Sequence, residues 1–166
     1  CLGVAGLQHS GASVRLAPAL RGVMRRCGYT GDALLTDDEQ IALAGALGVD
    51  KGMILLAGDA SACYGKNRMG VQHRTGGYGQ LADDDGSAYA IGREILRSVA
   101  RASDGRGRLT RLTGQIYLKY SLAGQGDLAR WLRRSEMNHQ EICSLSGMLS
   151  QACQAKDKVA LEIVDK

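Results

Sequence analysis

Two hydrophobic periods alternate along the first fifty residues. Leu2–Leu7 is a compact apolar run of strand type. Around Leu16–Cys27, Leu16, Leu20, Val23 and Cys27 fall on one helical face, and Gly28 follows as a stop. Leu34-Leu35 marks a short strand end. Thr36-Asp37-Asp38-Glu39 has the form of a capping box, Thr followed three residues later by Glu, and opens a helix to about Leu47 that Gly48 ends. The strand–helix–strand–helix order predicts an α/β fold with a parallel sheet.

A second block begins near Gly52. Met53–Ala57 reads as a strand of the buried type, and Ala62–Tyr64 and Gly70–Arg74 flank a turn at Gly65-Lys66-Asn67, which predicts a hairpin. The Gly-rich stretch Thr75–Gly79 and the acidic run Asp83-Asp84-Asp85 follow. A helix from about Ser87 to Ala102 then presents Ile91, Ile95, Val99 and Ala102 on one face. The remainder reads as helices over about Thr110–Leu122, Leu128–Arg134, His139–Gln154 and from Lys158 onward. The chain starts at Cys1 with an apolar run and stops within a helical pattern (Val159, Ala160, Ile163, Val164), so a piece of a longer protein is expected.

Composition narrows the classes. Hydrophobic residues make up 45% and charged residues 23%, as in a globular domain. No apolar run approaches the ~18 residues of a membrane helix, and the start lacks a basic leader, so a cytoplasmic protein without membrane contact is expected. Six of the 15 Arg residues lie between Arg93 and Arg111, but with no Phe and one Trp there is little on which bases could stack, and that run reads as a solvated helix face. Nucleic acid is not expected as a partner. The five cysteines are widely spaced with no Cys-x-x-Cys pair, which predicts reduced thiols with neither a zinc site nor a disulfide framework.

Eight of the 12 Asp residues fall between Asp32 and Asp85, at element ends, where α/β folds bind ligands beyond the carboxyl ends of their strands. Plainer roles exist for each. Asp37 and Asp38 complement a helix dipole, Asp83–Asp85 form a solvated loop, and Gly76, Gly77 and Gly79 form a tight turn. Gly58–Asn67 is not a Walker loop, because its spacing is too long and Asn67 stands in place of the hydroxyl. Gly77-x-Gly79 does not complete a dinucleotide fingerprint, because position 82 is Ala.

The order of the pieces is more specific. Met53-Ile54-Leu55-Leu56-Ala57-Gly58-Asp59-Ala60-Ser61 resembles the strand and phosphate-binding turn "Gly-Thr-Gly-Ser" of the actin/hexokinase superfamily. Gly76-Gly77-Tyr78-Gly79 through Asp83-Asp84-Asp85-Gly86-Ser87 to Ile91-Gly92 resembles the "Gly-Gly-Trp-Gly … Gly-Asp-Glu-Gly-Ser … Ile-Gly" signature of the N-acetylglucosamine kinases and of the reductase-activating ATPases related to them. Leu35-Thr36-Asp37 is similar to the segment carrying that family's catalytic Asp.

The resemblance implies a ribonuclease-H-like (actin/hexokinase) α/β fold, incomplete at both ends, with the tail of a first lobe in 1–51 and most of a second in 52–166. It implies an ATP-dependent kinase for an amino sugar, N-acetylglucosamine or glucosamine, with ATP and Mg²⁺ as cofactors; a homodimer is compatible with it. Asp37 would be the general base, Gly58 and Asp59 would meet the nucleotide, and Ser61, Ala62, Gly77, Tyr78, Gly79 and Asp84 would line the sugar. No resident protein-held metal is implied. The chain departs from the pattern at Asp59 (Thr in the family), Ala60 (Gly), Tyr78 (Trp) and Asp83 (Gly). Asp59 puts a carboxylate beside phosphates, which repels them unless Mg²⁺ intervenes. Two alternatives therefore stand beside the kinase: a member that binds sugar without phosphorylating it, and an ATPase that activates a reductase or dehydratase. The family's first phosphate loop and adenosine motif lie outside these residues, so the 166-residue piece alone is expected to lack kinase activity.

Overall fold

The computed structural model describes residues 1–7, 11–48, 51–134 and 138–166. The chain divides into two compact units, the first comprising Cys1–Leu56 and Ala62–Thr75, the second Ala57–Ser61 and Gly76–Lys166.

The first unit holds a strand–helix–strand–helix sequence: β1 (Leu2–Gly3), α1 (Ala12–Arg26), β2 (Leu35–Thr36) and α2 (Asp38–Leu47). β1 and β2 pair in parallel with Leu2 opposite Leu35, as the alternation predicts. The strands are shorter than Leu2–Leu7 suggests, since only two residues of β1 make ladder geometry before a turn. α1 ends in a Schellman arrangement: Gly28 has φ 73°, its N–H donates to Arg25 O at 3.0 Å, and Tyr29 N–H reaches back to Met24 O at 2.9 Å. The apolar face expected on α1 is not covered, and no residue of that helix is buried among the described residues. At α2 the expected capping box does not form, and the helix starts one residue later than predicted. Thr36 belongs to β2 and its hydroxyl donates to Gln40 Oε1, Asp37 is the N-cap, and Glu39 pairs with Arg74 at 2.6 Å instead of reaching back to the cap. Gly3 lies hard against this helix: a Cβ there would sit 2.9 Å from Asp38 Cα.

Three further strands, β3 (Gly52–Ala57), β4 (Ser61–Lys66) and β5 (Gln72–Gly76), form a sheet in chain order. Their short connections permit only antiparallel neighbours. The turn lies two residues later than predicted. Gly65 and Lys66 extend β4, and Asn67 makes the turn by accepting the N–H groups of Met69 and Val71 on its Oδ1, with Gly70 at φ 80°. β3 is not a buried strand: Met53 and Leu55 are about three-quarters exposed on one face. Ala62 and Tyr64 of the central strand are buried.

The second unit is mostly helical: α3 (Ala88–Ser103), α4 (Arg111–Lys119), α5 (Gln125–Leu132), α6 (His139–Ser144), α7 (Gly147–Gln154) and α8 (Lys158–Val164). Ile95 and Val99 of α3, Leu112 and Ile116 of α4, Leu145, Ala152 and Ala160 make one fully enclosed core. The helix expected over His139–Gln154 is two helices, broken at Leu145-Ser146, where Leu145 turns into the core and the Ser146 hydroxyl donates to Cys143 O. α3 and α6 approach closely at Gly92, where a Cβ would lie 2.0 Å from Ile142 O.

Asp157 ties α8 to the start of α4. Its carboxylate accepts Val159 N–H and Ala160 N–H at 3.0 Å, Arg111 N–H at 2.7 Å and the Thr110 hydroxyl at 3.1 Å. Burial acts to raise its pKa, but the hydrogen bonds from Arg111, Ala160, Thr110 and Val159 outweigh it and hold the carboxyl below the usual range. A group depressed in this way stabilises the fold fully above its unfolded pKa of about 3.9, and that contribution is lost as pH falls through the folded value. Asp157→Asn is expected to cost about 1–3 kcal/mol at neutral pH and to shallow the acid limb of the stability curve, as urea melts from pH 7 to 3 would measure.

Candidate functional site

In the first unit, Asp37 follows the carboxyl end of β2 directly and is 5% exposed. It occupies the N-cap of α2 with extended geometry, yet its side chain makes no capping hydrogen bond to the helix. Tyr64 on β4 feels the same acidic corner. Burial raises its hydroxyl pKa, the Lys66 charge lowers it, and the Glu39 and Asp37 charges raise it further. The Tyr64 hydroxyl is buried without a hydrogen-bond partner in the structure. Glu39 is itself 7% exposed and held by Arg74. Nothing in sequence spacing links Tyr64 or Arg74 to Asp37; the hairpin sheet supplies both.

In the second unit, residues far apart in sequence meet around the connection Gly58–Ala60. Gly58 N–H closes onto Ala60 O at 2.9 Å, and Gly58 O accepts the first N–H of α3, from Ala88, at 2.8 Å. Ser61 N–H donates to Asp84 Oδ1 at 3.2 Å, while the Ser61 hydroxyl donates to Asp85 O at 2.8 Å. Gly58 and Ser61 thus have their amides committed, and the exposed residues Asp59 and Ala60 carry the turn's remaining N–H groups. Those two amides are the ones available to an anion.

Asp84 is 3% exposed and has φ 69°, a left-handed conformation unusual outside glycine. The structure over-determines it: its carboxylate holds Ser61, and its carbonyl accepts Ser87 N–H at 3.0 Å. Ser87, fully buried, caps α3 by accepting Ala90 N–H at 3.1 Å, and the helix body starts one residue after the predicted start at Ser87. Strain maintained in this way is characteristic of binding sites. The Gly-rich segment before it loops tightly, with Gly76, Gly77 and Gly79 all at positive φ. Gly79 O accepts the amides of Ala82 and Asp83, and Tyr78 N–H donates to Asp83 Oδ2 at 3.2 Å. The Tyr78 ring is 80% exposed. Ser61 and Asp84 are thus joined directly by a hydrogen bond, Gly58 is tied to Ala88 at the start of α3, Asp59 lies on the connection between Gly58 and Ser61, and Gly77, Tyr78 and Gly79 belong to the loop leading towards Asp84. Ala62 is buried in β4 of the first unit, as Asp37 is buried at its α2.

Beside Asp59 lie two residues that sequence reasoning passed over. The Cys143 thiol is pushed up by burial and by the neighbouring Asp59 carboxylate. His139, four residues earlier on α6, stacks its ring on Tyr89, with centroids 4.7 Å apart and planes 7° from parallel. The available signal was the His139-x-x-x-Cys143 spacing, which puts both side chains on one helical face.

No protein-family model matches the chain. An N-acetylmuramic acid/N-acetylglucosamine kinase of Clostridium acetobutylicum is 32% identical over 164 residues, 99% of this chain and 52% of the relative. An N-acetyl-D-glucosamine kinase of Dictyostelium discoideum is 35% identical over 132 residues, 78% of this chain and 41% of the relative. A solved structure from Chromobacterium violaceum, proposed to be an N-acetylglucosamine kinase, superposes with a TM-score of 0.70 at 17% identity, over 95% of this chain and 65% of that one, and shows the α/β fold. Among the described residues no helix is long and apolar enough to cross a membrane. The chain spans about half the length of the curated relatives it matches, and it is similar over 99% of its length to the Clostridium kinase and over 78% to the Dictyostelium kinase.

Proposed function

We propose that this chain is part of an ATP-dependent kinase that phosphorylates an amino sugar, N-acetylglucosamine or glucosamine, in the cytoplasm. The N-acetylmuramic acid named for the Clostridium relative is a further substrate to be tried. The observation that carries the reading is Asp37: a buried carboxylate at the carboxyl end of a parallel strand, set at a helix start without capping it. In this role Asp37 accepts the proton of the attacking sugar hydroxyl, the step at which phosphoryl transfer needs a positioned base. Ser61, Ala62, Gly77, Tyr78, Gly79 and Asp84 bind and orient the sugar. The exposed amides of Asp59 and Ala60, beyond Gly58, receive phosphate oxygens. ATP supplies the phosphoryl group and brings Mg²⁺, for which the Asp59 carboxylate is a ligand of suitable type. The lobes of a ribonuclease-H-like fold would then be 1–51 and 52–166.

Asp59 also favours a second reading, a relative that binds sugar but does not phosphorylate it, because its carboxylate adds negative charge where the phosphates would lie. Sugar-dependent ADP release by the product of the complete reading frame separates the two. Turnover with N-acetylglucosamine or glucosamine is expected. Sugar binding by calorimetry with no turnover would establish the second reading instead.

A further inference from the structure

Asp59, His139 and Cys143 each offer a ligand atom, and the three atoms lie within 4.8 Å of one another. We propose that this cluster binds a zinc-class divalent cation, with carboxylate, imidazole and thiolate as its protein ligands.

The donor set is that of zinc. Its bonds to Asp oxygen, His nitrogen and Cys sulfur run about 2.0–2.3 Å, which spaces the donors of a tetrahedral site roughly 3–4 Å apart. The side chains need to close by about 1 Å from where they stand. Two of the three ligands come from one face of α6, and the third comes from the short connection between β3 and β4. The imidazole is already oriented. Its Nδ1 lies 3.0 Å from Gln80 Oε1; the tautomer that donates there carries its lone pair on Nε2, and Tyr89 stacks on the ring. Metal-ligating histidines are held in this manner, with the second ring nitrogen bonded to an acceptor. Cys143 is buried while Asp59 and His139 are exposed, so a cation can enter from solvent and reach the thiol. Thiolate and imidazole select zinc over magnesium, which prefers oxygen ligands. Three protein ligands leave the fourth position open. A cation here would offset the Asp59 charge beside the turn's exposed amides. The proposal does not rest on the kinase reading, and either can fail without the other.

The test titrates the metal-free whole protein with Co²⁺ and then with Zn²⁺ in competition with a chromophoric chelator. One equivalent of Co²⁺ is expected to give a thiolate-to-cobalt charge-transfer band that Zn²⁺ abolishes. Cys143→Ser should remove the band. His139→Gln and Asp59→Asn, at exposed positions, should each weaken Zn²⁺ by about 10-fold or more, and these two decide the matter if the buried serine variant does not fold. Absence of a thiolate band in the wild-type protein would overturn the proposal. So would a band and Zn²⁺ affinity left unchanged by both exposed substitutions, which would put the ion on another thiol, such as the exposed Cys1.

Discussion

Asp37→Asn, in the protein encoded by the complete reading frame, is expected to lower kcat by ~10²-fold or more while leaving sugar binding nearly intact. That loss corresponds to about 2.7 kcal/mol of transition-state stabilisation. The amide keeps the shape of the carboxylate but has no basic oxygen able to take the sugar proton. Asp37 is 5% exposed and makes no capping bond, so the substitution does not remove a helix cap. KM for the sugar should stay within a few-fold, since the lost interaction is one made in the transition state. The checks are steady-state kinetics by coupled ADP release and a thermal melt of the same sample. A near-wild-type kcat would leave Asp37 with only its place at the start of α2.

The second large effect is on stability. Gly92→Ala should destabilise the protein by about 1–3 kcal/mol, the usual range for overpacking, or more. The added Cβ would lie 2.0 Å from Ile142 O and 2.8 Å from Ile142 C, and these are backbone atoms that cannot rotate away. α6 must then move off α3. Tm should fall by several degrees, at roughly 2–4 °C per kcal/mol for a chain of this size. Gly114→Ala is the control, because a Cβ there meets nothing within 4 Å and α4 should gain about 0.5–1 kcal/mol from it. Equal melting behaviour of the two variants would mean that α3 and α6 do not pack this tightly. The effect should reach the Tyr89–His139 stack as well, since those residues sit on the same two helices.

Much of the fold was legible because its signals are local. The alternation of periods gave the parallel β1–β2 pair, Gly28 and Gly48 ended their helices, and Ser87 announced α3. What failed depended on partners distant in sequence. Thr36 looked like a cap until Gln40 took its hydroxyl, and Glu39 looked like the other half of a box until Arg74 claimed it. Met53 and Leu55 read as buried because hydrophobicity records what a side chain prefers and not what covers it. The family signature located Gly58–Ser61 and Asp84, and the bond from Ser61 N–H to Asp84 joins those two motifs in the second unit. The meeting of Asp59 with Cys143 could not be read from the sequence, since nothing in the spacing relates that turn to a helix so much further along.

The chain passes between its two units three times, after Leu56, Ser61 and Thr75, and this limits how the protein can be cut. No single truncation yields the helical unit whole. A polypeptide beginning at Gly76 would leave the Asp84 carboxylate buried without the Ser61 amide, Asp85 O without the Ser61 hydroxyl and Ala88 N–H without Gly58 O. The five residues Ala57–Ser61 are thus a stitch running through a unit that is otherwise continuous, and gene fusion, circular permutation or limited proteolysis that separates them from Gly76–Lys166 should yield insoluble or molten material.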